Sequence, residues 1–276
     1  MMRYPKSWLG VAAMTVAAGA FTLLRRRAFD AKLDAIEARL RGSSESSDAH
    51  FAPPPEVVAL ARRLGARPET PAAFVQIEQV GTMWQAPGGK AMTFSARQII
   101  ASHEPGFIWR AMMDPLRAVL VADWLERGHG GLEAKLLGAV PLATAAAGPD
   151  LDHGEILRYL AELPWNPDAM TANAALSWSV VDALTIKVAA GEGAARGEIT
   201  FSLDENGLIA GMSAPSRLYA RGSQSELRPW HGRFWDYQRA GGYLVPFQGE
   251  VAWALDEGEF VYWRGKLTSW KPGAHP

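Results

Sequence analysis

Tryptophan is the residue type whose abundance points most directly to a chemical role in this sequence. Of the eleven tryptophans, ten lie after residue 55. An indole ring buries a large apolar surface but still needs a partner for its N–H group, so it suits a cleft that is apolar inside and polar at the rim. Most of these rings could simply fill a core. The sharper hypothesis is that Trp109, Trp165 and Trp253 line a cleft for an apolar ligand.

A charged pair and a rigid aromatic residue occur together in the stretch RYLAELPWNPDA. Arg158 and Glu162 are four residues apart, a spacing that puts both on one face of a helix. Two interpretations stay open: a solvated surface pair, or a pair that faces a cavity and contacts a polar head group there. Trp165 stands between Pro164 and Pro167, which restrict its backbone. It could therefore close one end of a curved sheet.

The sequence contains no recognisable catalytic or metal-binding motif. The chain has no cysteine, which excludes disulfides, cysteine nucleophiles and thiolate metal sites. The segment GEGAARG has Arg196 where a dinucleotide-binding loop needs its third glycine, and a strand rather than a helix follows it. No histidines stand at metal-ligand spacing. The sequence therefore predicts no catalytic residue, no metal and no cofactor, and the chain is expected to be a binding protein rather than an enzyme.

Four carboxylates keep a hydrolase open as an alternative: Asp123, Asp182, Asp236 and Glu250 lie inside or beside predicted strands. Two of them could act as an acid and a base if they faced each other across a cleft. Asp123 and Asp182 are, however, more typical of residues that hold turns and strand ends through backbone hydrogen bonds.

Overall composition indicates a folded domain with no nucleic-acid partner. Hydrophobic residues make up 48% of the chain and charged residues 21%, which is ordinary for a globular fold. The formal net charge of -1 gives no broad positive field that would attract nucleic acid.

The first 28 residues are predicted to be a membrane anchor or a signal segment. Trp8 to Leu24 form an apolar run of about the length that crosses a bilayer, and Arg25, Arg26 and Arg27 follow. A signal peptide would be cut after Ala20, but the apolar run continues past that point, so an uncleaved transmembrane helix is favoured. This predicts a single-pass cell-membrane protein, with the side that holds the soluble domain undecided.

Residues 29–54 are predicted to form a juxtamembrane helix and a flexible linker. Leu33, Ile36 and Leu40 lie on one stripe of the amphipathic segment FDAKLDAIEARLR, which suits a helix beside the membrane or a solvated spacer. GSSESSDAHFAPPP then has the composition of a linker. Residues 55–276 are expected to be a single β-rich domain.

Within that domain, hydrophobic residues alternate with a period of two over many short runs separated by turn residues. Short connections imply antiparallel neighbours. One central helix interrupts the strands, with Asp152 and Glu155 as a capping box. Its apolar stripe must be buried against the sheet and consists of Ile156, Tyr159, Leu160 and Leu163. The predicted fold class is mostly β (α+β), a curved antiparallel sheet or half-barrel crossed by a central helix, with an N-terminal transmembrane helix.

Several motifs occur in an order that resembles a widespread family of uncharacterised bacterial proteins. They are GFIWRA, DWLERGHGG, RYLAELPWNP, WSVVD, RPWHG and GGYLVPFQGEVAWAL, spread over most of residues 55 to 268. The resemblance implies a domain similar to the half-barrels of lipoprotein carriers and lipid-binding proteins. It implies no active site.

These observations favour a membrane-tethered protein that binds a lipid or other amphiphile in an aromatic-lined cleft. Trp109, Trp165 and Trp253 would contact the apolar chain, and Arg158 and Glu162 would lie near the head. The alternatives are a non-enzymatic structural or assembly protein at the cell envelope, and a hydrolase with an unrecognised Asp, Glu or His site. Partners besides the membrane and the ligand are not predicted.

Overall fold

A single antiparallel sheet dominates the computed structural model, which describes the chain except for residues 1–5, 44–50, 115–116, 222–223 and 275–276, with backbone alone at 6–18, 221 and 224. The strands of the first half are β1 (Phe74–Met83), β2 (Met92–Ala101), β3 (Phe107–Met113), β4 (Val119–Glu126), β5 (His129–Leu136) and β6 (Val140–Thr144). Those of the second half are β7 (Ser177–Asp182), β8 (Thr185–Ala190), β9 (Gly197–Leu203), β10 (Ile209–Arg221), β11 (Gln224–Ala240), β12 (Tyr243–Leu255) and β13 (Gly258–Gly273).

Four α-helices accompany the sheet within the described residues: α1 (Lys6–Arg41), α2 (Pro55–Arg63), α3 (Pro149–Ala161) and α4 (Ala169–Ala172). The 3-10 turn Leu163–Trp165 joins α3 to α4. The predicted linker at 42–54 falls largely on residues 44–50, outside the described residues.

The order of the strands explains where the central helix must run. The 13 strands are arranged β6-β5-β4-β3-β2-β1-β13-β12-β11-β10-β9-β8-β7, so β1 and β13 join two meanders in the middle of the sheet. The two edges, β6 and β7, are consecutive in the chain. The segment that connects them, which contains α3 and α4, therefore has to cross from one edge of the sheet to the other.

The sheet is curled into a half-barrel, and the contacts of α3 show why it must be. Helix α3 touches β4 and β5 in one meander and β8, β9 and β10 in the other. Strands lie about 4.8 Å apart, so β4 and β9 would be roughly 38 Å apart in a flat sheet. A helix of 13 residues is only about 20 Å long. Both sets of strands can touch it only because the sheet curves around it.

Strand alternation separates two hydrophobic clusters on opposite faces of the sheet. Along β2, Phe94, Ala96 and Ile100 belong to the main core under α3, whereas Ile99 and Ala101 belong to the smaller cluster under α1. Side chains of a strand point alternately to its two faces, so this assignment follows the period of two in the sequence. The concave face thus carries α3, and the convex face carries α1.

Helix α1 differs from the prediction. It is one continuous helix of 36 residues, so Arg25, Arg26 and Arg27 lie inside it rather than beyond its end. Among the described residues, no helix is both long enough and apolar enough to cross a membrane. The predicted transmembrane helix is therefore not supported. The prediction rested on the apolar run alone, but that run and the charged segment after it form a single helix.

The C-terminal half of α1 is held on the convex face of the sheet. Leu33, Ile36 and Leu40, the predicted amphipathic stripe, are buried together with Phe29 against β2, β3 and β4. Ion pairs surround this contact, including Arg110 with Asp34 at 2.5 Å, Lys32 with Glu133 at 2.5 Å and Arg97 with Glu37 at 2.5 Å. The stripe is thus covered by the sheet, and not by solvent or a membrane surface.

This docking gives a stability prediction. Replacing Ile36 by valine removes one buried methyl group and is expected to lower the free energy of unfolding by about 0.5–1.5 kcal/mol. Val181→Ala, at an exposed position of β7, is the control and should change it by no more than about 0.5 kcal/mol. Chemical denaturation of the full chain measures both. An unchanged midpoint for Ile36→Val would contradict the contact between α1 and the sheet.

Buried polar residues fix the segment after α3. The carboxylate of Asp168 accepts hydrogen bonds from the backbone N–H groups of Arg67 (2.7 Å) and Ala72 (2.9 Å) and from the hydroxyl of Tyr243 (2.7 Å). Asn166 donates to the carbonyl of Ile100 at 3.2 Å. These bonds tie the turn that carries Trp165 to the loop after α2 and to strands β2 and β12.

The predicted capping box is wrong. Helix α3 begins at Pro149, its N-cap position is Gly148, and no side chain caps it. Asp152 instead accepts a hydrogen bond from the N–H of Gly130 at 2.7 Å. Proline fits the first helical turn because its missing N–H would have no partner there, and the helix begins four residues earlier than predicted.

Candidate functional site

A cavity of about 360 Å³ lies between α3 and the concave face of the sheet. The protein's own side chains line it but do not fill it. Two of its lining residues, Gln85 after β1 and Ala220 near the tip of the β10–β11 hairpin, are exposed to solvent. They mark its mouth, between the β1–β2 and β10–β11 hairpins.

Aromatic side chains form the wall on strands β10 to β13. They are Tyr219, Trp230, Phe234, Trp253, Phe260, Tyr262 and Trp263. Many of these rings contact one another, for example Tyr219 and Trp253 with centroids 5.2 Å apart, and Trp253 and Tyr262 at 5.7 Å. Such contacts hold rings in fixed orientations. This wall is therefore both apolar and rigid.

Trp165 closes the cavity beside the C-terminal end of α3. Its indole N–H donates to the carbonyl of Pro246 at 2.7 Å, and its own carbonyl accepts a hydrogen bond from the indole of Trp270 at 2.8 Å. The ring lies edge-on to Phe234, with centroids 5.6 Å apart. Gly249 lies beneath it, where an added Cβ would be 3.3 Å from the indole. The indole is thus locked in place and only 6% exposed.

The opposite side of the cavity is polar and is built around Arg158. From α3, its guanidinium donates to Glu162 (3.1 Å) and to Asp123 on β4, and it lies over the rings of Phe107 and Trp109, 4.7 Å and 5.3 Å from their centroids. The stacked rings and the two carboxylates keep this buried cation compensated. Burial opposes the positive charge, but the carboxylates outweigh it and raise the pKa of Arg158.

Two glutamines extend the cluster across the first strands. The amide of Gln98 on β2 donates to Glu162, and the amide of Gln79 on β1 donates to Gln98 at 2.9 Å. In the register of the sheet, Gln98 is opposite Trp109 and Trp109 is opposite Asp123. Polar residues therefore form a row over β1, β2 and β4 that faces α3.

A second arginine enters from β10. Arg217 lies over Trp230, 4.4 Å from the ring centroid, and donates to the hydroxyl of Tyr262 at 3.3 Å. Its guanidinium is 4.0 Å from the carboxylate of Glu155 on α3. Glu155 is thus the third carboxylate of the cavity, beside Asp123 and Glu162, and these three face two guanidinium groups.

Burial changes the protonation of two of the carboxylates. Loss of solvation raises the pKa of Glu162 to about 7, although Arg158 and Gln98 oppose the shift. Loss of solvation, followed by the neighbouring carboxylate of Asp123, raises the pKa of Glu155 well above its usual range. Burial therefore favours the protonated form of Glu155, and Glu162 is partly protonated near neutral pH.

Four polar atoms of the lining have no hydrogen-bond partner among the described residues. They are the acceptors Asp123 Oδ1, Glu155 Oε2 and Gln79 Oε1 and the donor Trp109 Nε1. Buried polar groups are nearly always paired in folded proteins, because each unpaired group costs about 1–3 kcal/mol. These atoms are therefore available to a ligand or to water.

Residues 45–265 match the family of unknown function DUF6544. The chain belongs to this family. The resemblance predicted from the RYLAELPWNP-type motifs, to a family without an established activity, is confirmed. No curated protein shows significant similarity to the chain.

Solved structures similar to this DUF6544 protein cover most of its length at low sequence identity. A LolA superfamily protein from Nitrosomonas europaea is 12% identical, with a TM-score of 0.44 over 82% of this chain and 96% of that protein. A DUF1329 family protein from Desulfovibrio piger is also 12% identical, with a TM-score of 0.46 over 80% of this chain and 94% of that one.

The structure brings all five predicted ligand-binding residues to one cavity. Trp109, Arg158, Glu162, Trp165 and Trp253 all line it. Of the two interpretations of the charged pair, the structure shows the one in which the pair faces a cavity. That these residues bind a ligand stays a prediction.

Several lining residues were not predicted, or were given another role. Asp123 was expected to hold a turn but points into the cavity from the middle of β4 and accepts a hydrogen bond from Arg158. Glu155 was assigned to a capping box. Gln98 could have been recognised from the sequence, because it is a polar residue on the otherwise apolar face of β2. No pattern in the sequence indicates Arg217.

The other candidate carboxylates serve structural roles. Asp182 accepts a hydrogen bond from the N–H of Leu184 at 2.8 Å and shapes a turn, as predicted. Glu250 pairs with Arg233 and Arg264, both at 2.7 Å. In the part of the chain that the structure describes, no group of three acidic or histidine side chains is placed to hold a metal ion.

Proposed function

We propose that this protein binds a single-chain lipid or other amphiphile in the cavity under α3. The apolar chain would lie against the aromatic wall of β10 to β13, and the head would lie at the polar cluster of α3, β1, β2 and β4. The observation that carries the proposal is a cavity left unfilled, with apolar rings on one side and buried charged groups on the other. Ligand sites are typically concave and apolar with a few placed polar groups.

The size of the cavity limits the ligand. Binding sites for small molecules have volumes of roughly 300–1,000 Å³, and this cavity, at about 360 Å³, is near the lower limit. Such a volume suits one apolar chain better than several. Capture of a ligand by this domain does not require a membrane-spanning anchor, so the proposal stands on the cavity alone.

Filling the cavity should abolish binding without unfolding the protein. Val121 on β4 is partly buried and lines the cavity, so Val121→Phe places a ring in space that is empty. We expect a loss of affinity for a brominated single-chain alcohol of about tenfold or more, because the ligand and the new ring compete for one volume. Saturable quenching of tryptophan fluorescence by the bromine atoms measures the affinity.

The matched control for that experiment is Val181→Phe, the same change at an exposed position of the edge strand β7. It should bind the brominated alcohol as the wild type does. Unsaturable quenching of equal size in wild type, Val121→Phe and Val181→Phe would contradict a ligand site in this cavity.

Hydrolysis of the bound amphiphile is the second candidate function. It is favoured by Asp123 and Glu155, two neighbouring carboxyl groups in the cavity, because burial raises the pKa of Glu155 and favours its protonated form. A protonated and an ionised carboxyl group are the parts of a general acid and base pair. Release of fatty acid from a monoacyl ester by the wild type, and its loss in Glu155→Gln, would favour this activity. Equal slow release by both proteins would exclude it.

A further inference from the structure

The unpaired atoms of the cavity define the chemistry of the ligand's head. Asp123 and Glu155 are 5% and 3% exposed, and one carboxylate oxygen of each receives no N–H or hydroxyl donor among the described residues. The two carboxyl groups contact each other, so that the protonated form of Glu155 donates to Asp123. Gln79 adds a third such acceptor, and Trp109 supplies a single unpaired donor. Once Glu155 is ionised, the cavity therefore offers more acceptors than donors to a bound molecule.

The charges of the lining also disfavour an anionic head. When Asp123, Glu155 and Glu162 are all ionised, they exceed Arg158 and Arg217 by one negative charge, which a proton or another cation has to balance. Arg158 already donates to two carboxylates, and Arg217 is stacked on Trp230 and donates to Tyr262. An anionic head would have to compete with these carboxylates for both arginines. Glu250, the other acidic residue of the lining, is neutralised by its own two arginines.

Resting on the proposed function, we infer that the amphiphile carries a protonated amine as its head and that Asp123 and Glu155 hold it. A primary ammonium group has three N–H donors and no acceptor, which complements unpaired carboxylate oxygens. Hydrogen bonds between ionised partners are the strong ones in a buried site. The aromatic faces of the cavity also favour a cation over an anion.

Binding of an amine is coupled to release of a proton. In the empty cavity Glu155 is faced by Asp123 on β4, Arg217 on β10, and Arg158 and Glu162 on α3. Burial and the charge of Asp123 raise the pKa of Glu155 and favour its protonated form. An arriving ammonium group supplies the positive charge that the ionised form lacks, so Glu155 loses its proton as the amine binds.

The test compares three probes that share one chain: octylamine, octanol and octanoate, titrated calorimetrically into the full chain at neutral pH. We expect octylamine to bind about tenfold or more tightly than octanoate, with octanol between them. The heat of octylamine binding should differ between Tris and phosphate, because these buffers have different ionisation enthalpies. The sign of the difference should be the one expected when the protein releases a proton to the buffer. Glu155→Gln should remove both the preference and the buffer dependence while octanol still binds.

Glu198→Gln, at an exposed position of β9, is the matched control and should behave as the wild type. Octanoate binding as tightly as octylamine, or a preference for octylamine that survives in Glu155→Gln, would overturn the amine inference and leave the amphiphile site standing. Binding of none of the three probes would overturn the proposed function itself.

Discussion

Replacing Trp165 by alanine is expected to lower the free energy of unfolding by about 3–5 kcal/mol, the usual loss for a large buried aromatic residue. The indole fills the space between α3 and β12, pairs its N–H with the carbonyl of Pro246, and contacts Phe234 and Trp263. All of these contacts are lost together. Thermal or chemical unfolding of the purified variant measures the change.

The same substitution should also weaken ligand binding, because Trp165 lines the cavity. Trp178→Ala is the matched control: this indole is partly buried on the edge strand β7 and does not line the cavity. Trp178→Ala should cost less stability and leave the affinity for the brominated alcohol unchanged. If the two variants bound equally well at a temperature where both are folded, Trp165 would serve packing alone.

Replacing Glu162 by glutamine is expected to change how stability depends on pH. The pKa of Glu162 is about 7 in the folded protein and 4.5 in the absence of its surroundings. Between these values the folded state holds a proton that the unfolded state has released, so the stability of the wild type falls as pH rises from about 4.5 to about 7. A shift of this size corresponds to about 3 kcal/mol.

Glu162→Gln should not lose stability over this pH range. As pH rises, the free energy of unfolding of the variant should therefore increase relative to that of the wild type. Denaturation curves at a series of pH values measure it. Glu198→Gln, which removes an exposed carboxylate, should follow the wild type at every pH. A constant difference between Glu162→Gln and the wild type across this range would show that Glu162 titrates normally.

The local pattern of the sequence predicts the sheet and the central helix well. The stripe Ile156, Tyr159, Leu160 and Leu163 is buried as its spacing requires. Alternation identifies the strands because each has one face on a core. It fails at β6, where all five residues are exposed, and at the far end of β10, where the strand continues past a register shift between Ala214 and Arg217.

The candidate site is predicted only in part, and for a physical reason. Five of its residues are recognisable, because large aromatic or charged side chains stand out within segments whose pattern predicts a strand or a helix. They are Trp109, Arg158, Glu162, Trp165 and Trp253. That Glu155 and Arg217 meet across the cavity depends on how far the sheet curls, which is a property of all 13 strands together. The packing of α1 also depends on distant parts of the chain, because the strands that cover its apolar stripe come later in the sequence.

Native mass spectrometry of the full chain shows whether the space under α3 holds a ligand. Wild-type protein incubated with equal amounts of octylamine, octanol and octanoate should retain one amphiphile per chain, and Val121→Phe should retain none. Wild-type protein that stays free of all three amphiphiles under conditions in which it is folded would contradict the account.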